Sequence, residues 1–300
     1  MNYRIAGLNI AINGELPAYA VERMSHYQWD STRGRGARAP LHTPPFPLCC
    51  PDATIEISIT DKVIIPEHTV IYKDKSVVYG TTGDGYIKFD EANPTGIFSI
   101  SRDMKSASVI CTKEFALSGT VSGMWIFNML SDIFRQIILV HNGFVFHSSA
   151  ISYSGTGVAF AADSGTGKST HTGLWQRAFG TDAEIINDDA PAIRIIKDIP
   201  YIFGTPWSGK TPLNNNIGVP LKAIVLLTRR EKNIIGEISV KEALEGGLFT
   251  LTFLSRFPSL NAEYWDTIDR VLKKIKLYSL RCNTEESAAI TAKEKIYENC

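Results

Sequence analysis

Gly157-Val158-Ala159-Phe160-Ala161-Ala162-Asp163-Ser164-Gly165-Thr166-Gly167-Lys168-Ser169 is the stretch on which the reading of this chain turns. Its apolar start reads as a buried strand, and a helical pattern follows over residues 169–179. The glycines therefore stand at a strand-to-helix turn. Residues 162–169 fit G-x-x-x-x-G-K-[ST] at every position but the first, where Ala162 replaces glycine. In such a turn backbone N–H groups converge on phosphate oxygens, and the helix N-terminus adds partial positive charge. The pattern predicts a nucleotide site. Ser164, Gly165, Thr166, Gly167 and Thr170 line its cradle, Lys168 reaches the outer phosphates, and the Ser169 hydroxyl holds Mg²⁺. A chance Gly/Ser turn is the bland alternative; it leaves the register of both glycines, the lysine and the serine unexplained.

Composition sets the outer bounds. The 300 residues are 44% hydrophobic and 21% charged, enough for a large core, and suggest two domains or one with an appendage. Lys+Arg and Asp+Glu both number 31, so the net charge is zero and a nucleic-acid surface is disfavoured. The opening MNYRIAGLNIAING lacks the pattern of a signal peptide. The most apolar window, 124–140, contains Asn128, Asp132, Arg135 and Gln136, and reads as a core helix rather than a membrane span. Cys49, Cys50, Cys111, Cys282 and Cys300 show no C-x-x-C spacing, so thiols in a reducing cytosol are expected. The expected location is cytoplasmic, without a membrane partner; a homo-oligomer stays open.

Residues 1–120 read as a smaller β-rich part and 121–300 as the nucleotide-binding part. The first has an alternating strand at 3–12 and short β-like runs at 54–60, 69–72, 76–79, 86–89, 97–101 and 108–111, together a small antiparallel unit. Between them 31–51 is rich in Arg, Gly and Pro and reads as an extended, mobile loop. Its Arg33, Arg35 and Arg38 suit either an anionic substrate or plain solvation. A helix over 122–140 bridges the two parts. Strands follow at 144–152, 158–162, 185–187, 192–196, 201–203 and 223–228, interrupted by one substantial helix. That is a mixed α/β sheet around a phosphate loop, not regular strand–helix alternation. Helices are predicted at 240–254 and 262–274, then a strand at 276–281 and a last helix opened by Asn283-Thr284-Glu285-Glu286.

Two further constellations carry chemistry. His147 lies in Phe146-His147-Ser148-Ser149, and the turn Ser154-Gly155-Thr156-Gly157 folds this run back as a hairpin beside the phosphate loop. A strand histidine is often structural; this position puts it near the outer phosphates. Downstream, Glu184-Ile185-Ile186-Asn187-Asp188-Asp189 is an apolar strand ending in paired carboxylates. One would anchor Mg²⁺ and the other accept a proton from an attacking hydroxyl; an ordinary acidic turn is the alternative.

His147, Gly155/Gly157, the loop 163–169 and Asp188-Asp189 together resemble the core of HPr serine kinase/phosphorylase, which shares its phosphate-loop fold with phosphoenolpyruvate carboxykinase. The resemblance is tight over 144–189 and looser to 228. It implies a mixed-sheet carboxykinase/HPr kinase-like P-loop domain, with ATP and Mg²⁺ as cofactors. Asp189 would be the base, Asp188 and Ser169 metal ligands, Lys168 the phosphate-binding lysine and His147 an auxiliary group. The chain departs from the family pattern at Ala162 and at Thr170, where those kinases carry Glu. It also lacks their Glu-Ile-Arg-Gly signature, and its N-terminal part is unlike theirs. In place of the signature stands Gly204-Thr205-Pro206-Trp207-Ser208-Gly209-Lys210-Thr211. Lys210 would neutralise the transferred phosphoryl and Trp207 form an aromatic wall, unless Trp207 simply plugs the core. Asn214, Asn215 and Asn216 either extend that loop or form turns. The expected activity is ATP-dependent transfer of a γ-phosphoryl to a hydroxyl, on a serine of a small protein or peptide or on a free metabolite such as serine. The rivals are a carboxykinase-type lyase, for which 144–210 offers only Arg177 and Arg194, and a non-catalytic nucleotide sensor or partner subunit.

Overall fold

At Ala6-Gly7 both residues take positive φ, 50° and 76°. This two-residue turn divides the alternating run at 3–12 into β1 (Asn2–Ile5) and β2 (Leu8–Asn13), an antiparallel hairpin rather than the single strand expected. Apolar residues crowd both sides of so short a turn and hide it. The computed structural model describes residues 1–29, 50–252 and 255–298. Arg33, Arg35, Arg38, Cys49 and Cys300, with nearly all of the 31–51 loop, lie outside the described residues. Two compact units are present: the first holds 1–29, 50–141 and 255–263, the second 142–252 and 264–298.

In the first unit α1 (Ala18–Met24) follows the hairpin. Then come β3 (Ala53–Thr60), β4 (Thr69–Asp74), β5 (Val77–Thr81), β6 (Gly85–Asp90), β7 (Gly96–Ser101) and β8 (Ser106–Thr112). They form an eight-stranded sheet in the order β1-β2-β3-β8-β7-β6-β5-β4. β2 and β8 both run parallel to β3, so the sheet is mixed and larger than the small antiparallel unit expected. Parallel pairing joins strands distant in sequence, which a pass along neighbouring runs does not reveal. α2 (Lys113–Ala116) and α3 (Thr120–Ile137) close the main run of this unit. Ile126, Leu130, Ile133 and Ile137 of α3 recur at helical spacing and are buried. The apolar helical stretch from Thr120 to His141 is long enough to cross a membrane, but 67% of its window is buried inside the protein, as in a core helix. α3 belongs to the first unit, whose main run extends to His141.

The chain continues through β9 (Gly143–Val145), β10 (Ser148–Tyr153), β11 (Thr156–Ala161), α4 (Lys168–Phe179), β12 (Ala183–Asn187), β13 (Ala192–Ile196) and β14 (Ile199–Phe203). β15 (Gly218–Arg229), β16 (Ile234–Glu237), α5 (Val240–Glu245), α6 (Asn261–Leu272), β17 (Lys276–Cys282) and α7 (Glu286–Tyr297) complete it. The second unit carries a nine-stranded mixed sheet. Its path is β12-β10-β11-β15-β14-β13-β9, with β17 on β15 and β16 on β17. β15 pairs antiparallel with β14 through its first residues and parallel with β11 and β17 through the rest. β11, β15 and β17 therefore end on one side of the sheet.

The single strand expected at 144–152 is broken at Phe146-His147. β9 pairs with β13, whereas β10 pairs with β11 and β12. The backbone N–H groups at the break go to Pro191, Leu251 and Asp189 carbonyls instead of a ladder. The helix expected at 240–254 stops at Glu245, because Gly246 and Gly247 (φ 85°) follow; a 3₁₀ turn, Leu248–Leu251, comes next. Phe160, Leu174, Trp175, Val225 and Leu280 form the core under α4 and α7. Ala288, Ala289 and Ala292 of α7 are buried in the same core, and their small side chains let α7 pack closely there.

Candidate active site

β11 delivers the chain into the phosphate loop, and α4 leaves it. Gly165 and Gly167 adopt φ of 82° and 112°, a region that side-chain-bearing residues rarely enter. Ala162 does not take positive φ, so it serves at the first position without strain; its carbonyl accepts a hydrogen bond from Lys168 Nζ at 2.9 Å. The N-terminus of α4 has no side-chain cap, the arrangement that suits an anion. Ser164, Gly165, Ser169 and Thr170 are exposed, and Thr166 and Gly167 partly so. An uncapped twelve-residue helix behind two left-handed glycines fits the polyphosphate of a nucleotide.

Lys168 is nearly buried and bends back across its loop. Its Nζ donates to Nε2 of His147 at 3.1 Å. That nitrogen is thus an acceptor, and the imidazole proton sits on Nδ1. Nδ1 in turn lies 3.1 Å from Asp189 Oδ1 and 3.2 Å from the Asp189 carbonyl. Asp189, His147 and Lys168 are one connected chain. Burial lowers the Lys168 pKa, and the charges of Asp189, Asp188 and Asp163 oppose that shift.

Asp188 is held separately. Ser149 Oγ donates to Asp188 Oδ1 at 2.6 Å and meets Thr172 Oγ1 at 2.8 Å, while Thr172 also reaches the Ser169 carbonyl at 3.1 Å. Asn187 shapes the turn that carries both carboxylates. Its Oδ1 accepts from the N–H groups of Asp189 (2.9 Å) and Ala190 (2.7 Å), and its Nδ2 donates to the Thr205 carbonyl at 2.8 Å. No sequence motif marked Ser149, Thr172 or Asn187 for these roles. The only available signal was an Asn placed to form an Asx turn at the end of an apolar run. Among the described residues no group of three or more His, Cys, Asp and Glu stands at metal-binding distance. Mg²⁺ held largely by phosphate oxygens and water needs only one or two protein oxygens. Ser169 and Asp188, both oxygen donors, fit that demand.

The 204–211 loop borders this group through Gly209. A Cβ at Gly209 would lie 3.3 Å from Asp189 Cβ and 3.4 Å from its Cγ. Trp207 is only 6% exposed, so its ring packs inside rather than walling a ligand. Lys210 is exposed on the turn, and no ion pair or hydrogen bond joins it to either carboxylate. Asn214 donates to Ser208 Oγ and Asn215 to the Ile185 carbonyl, each at 2.8 Å, fastening the loop to β12.

No family model matches the chain, and no curated protein does. Among solved structures it is similar to the Hpr(Ser) kinase/phosphatase from Coxiella burnetii, at 10% identity over 52% of this chain and 94% of that one. The TM-score is 0.29, a weak likeness.

Proposed function

We propose that this protein is an ATP-dependent phosphotransferase of the HPr kinase-like P-loop class, moving the γ-phosphoryl group to a hydroxyl acceptor. The observation that carries this reading is the Asp189–His147–Lys168 chain, which ties a carboxylate to the lysine of a phosphate loop. Asp189 takes the proton of the acceptor hydroxyl; the imidazole at its Oδ1 fixes the carboxylate's direction. Lys168 leaves the Ala162 carbonyl for the outer phosphate oxygens and offsets their charge. Ser169 and Asp188 would hold Mg²⁺, which would supply further neutralisation of the phosphates. The acceptor is a serine of a peptide or small protein, or a free hydroxylated metabolite, and the protein is cytoplasmic.

The lyase alternative loses support from the arginines. Arg177 is ion-paired with Glu286 on α7, and Arg194 lies in β13, a strand between β9 and β14. The test is a screen of hydroxyl amino acids, peptides and carrier proteins with γ-labelled ATP, with Lys168→Ala and Ser169→Ala alongside. Label should pass to an acceptor with the parent and fail with both variants. ATP bound but never consumed, and unaffected by Asp189→Asn, would instead favour a nucleotide sensor.

A further inference from the structure

The carboxyl ends of parallel strands are where ligands of α/β sheets bind. Here β11 runs into the phosphate loop, and the ends of β15 and β17 lie alongside it. Between them is a narrow cleft bordered by Gly167, Thr170, His171, Arg229, Asn283 and Thr284. The phosphotransfer chemistry above uses Gly167 and Thr170 at its rim and gives no role to His171, Arg229, Asn283 or Thr284.

His171 forms its inner wall and is only 2% exposed. Its ring packs edge-on to Phe160, with centroids 4.5 Å apart. Trp175 Nε1 donates to His171 Nε2 at 3.2 Å. Indole only donates, so Nε2 is a lone pair and the ring proton is on Nδ1. Burial also drives the His171 pKa down to about 4, which keeps the ring neutral. Nδ1 is buried and has no hydrogen-bond partner. A buried donor left unmet is unfavourable, and native structures rarely keep one without a use. Arg229 reinforces the same polarity. Its Nη2 lies 3.4 Å from where a Cβ of Gly167 would stand, against the phosphate loop itself.

We propose that this cleft is the nucleobase subsite, and that the acceptor edge of a base receives hydrogen bonds from His171 Nδ1 and the Arg229 guanidinium. This rests on the phosphate-loop reading and extends it. The slot is too narrow for a whole ring, so an edge enters while the rest lies across its mouth toward Asn283 and Thr284. Ring nitrogens and a carbonyl oxygen are the acceptors that a purine offers. Arg229 ends β15, on the far side of β11 from Asp188 and Asp189 in the strand order, because β15 flanks β11 opposite to β10 and β12. The base and the reacting phosphate would thus leave the loop in opposite directions.

Calorimetric titration of the whole protein with ATP and with inorganic tripolyphosphate tests the subsite. The parent should bind ATP at least about tenfold more tightly than tripolyphosphate, and Arg229→Ala and His171→Phe should each remove most of that margin without weakening tripolyphosphate. Arg229 is exposed, so its variant preserves the test if His171→Phe does not fold. Equal affinity of the parent for the two ligands would overturn the subsite while leaving the phosphate loop intact. Equal loss of both ligands in Arg229→Ala would place that guanidinium on phosphate and overturn it too. A parent that binds neither ligand would bring down the phosphate-loop reading and the subsite with it.

Discussion

The Lys168 ammonium donates to Nε2 of His147 at 3.1 Å, joining the first turn of α4 to the break between β9 and β10. This bond fixes the imidazole tautomer, since an ammonium has no lone pair to offer. Nδ1–H therefore faces Asp189, and the carboxylate is oriented before any acceptor arrives.

Asp189→Asn should leave ATP affinity within about a few-fold of the parent and slow transfer by ~10²–10⁴, the usual cost of losing a positioned base. His147→Ala should slow transfer less, because the base stays but loses its orientation. Equilibrium ATP binding and single-turnover transfer, measured on both variants, check this order. If both variants keep the parent's transfer rate, the Asp189–His147–Lys168 chain has no catalytic part.

Ser149→Ala removes the 2.6 Å bond to Asp188 Oδ1 and leaves Thr172 facing a methyl group. Asp188 then loses its fixed direction, and a metal ligand held loosely binds more weakly. The expected outcome is a raised Mg²⁺ requirement, with transfer partly restored by added Mg²⁺. Ser149→Thr, which keeps the hydroxyl, should behave more like the parent. A Mg²⁺ titration of activity separates this from a general loss of fold, which metal would not repair.

The phosphate loop, its strand and its helix were legible because their signals are local: two glycines, a lysine and a serine in register after an apolar run. The paired carboxylates were legible for the same reason. What joins them was not. Ser149, Asp188 and Thr172 meet across β10, β12 and α4, and a hydroxyl gives no sequence sign of which distant carboxylate it will serve. The break at Phe146-His147 was hidden because no glycine or proline separates β9 from β10, and only their different pairing partners part them. Trp207 read as a ligand wall from its glycine-rich neighbours, yet its ring is buried, and Gly209 is the residue that touches the site. In the first unit, the parallel register of β3 with β8 spans four intervening strands and left no trace in the alternation of either.

Gly209→Ala tests the close approach to Asp189. Gly209 has φ of 71°, where an alanine costs about 1 kcal/mol, and its new methyl would press on Asp189 Cβ at 3.3 Å. The thermal midpoint should fall modestly, while kcat falls more steeply than that loss explains and ATP affinity is retained. An unchanged kcat in a folded variant would show that the 204–211 loop does not hold Asp189 in place.

His171 predicts how stability depends on pH. Burial lowers its pKa from 6.5 to about 4 in the folded protein, while the unfolded chain keeps the ordinary value. Between those limits the unfolded state binds the extra proton, so stability is full above about 6.5 and declines as pH falls toward 4. One such group gives a slope of at most about 1.4 kcal/mol per pH unit. Carboxylates add their own slopes in part of this range, so the difference between two proteins is the useful quantity. His171→Phe keeps the ring volume against Phe160 and Trp175 and removes the titrating nitrogen. Urea unfolding of parent and variant at several pH values should show a flatter decline for the variant, with the two curves drawing together as the pH is lowered. Parallel curves across the whole window would mean that His171 is protonated in the folded protein as readily as in the unfolded one. Its Nδ1 would then not be the neutral, buried donor that the proposed subsite requires.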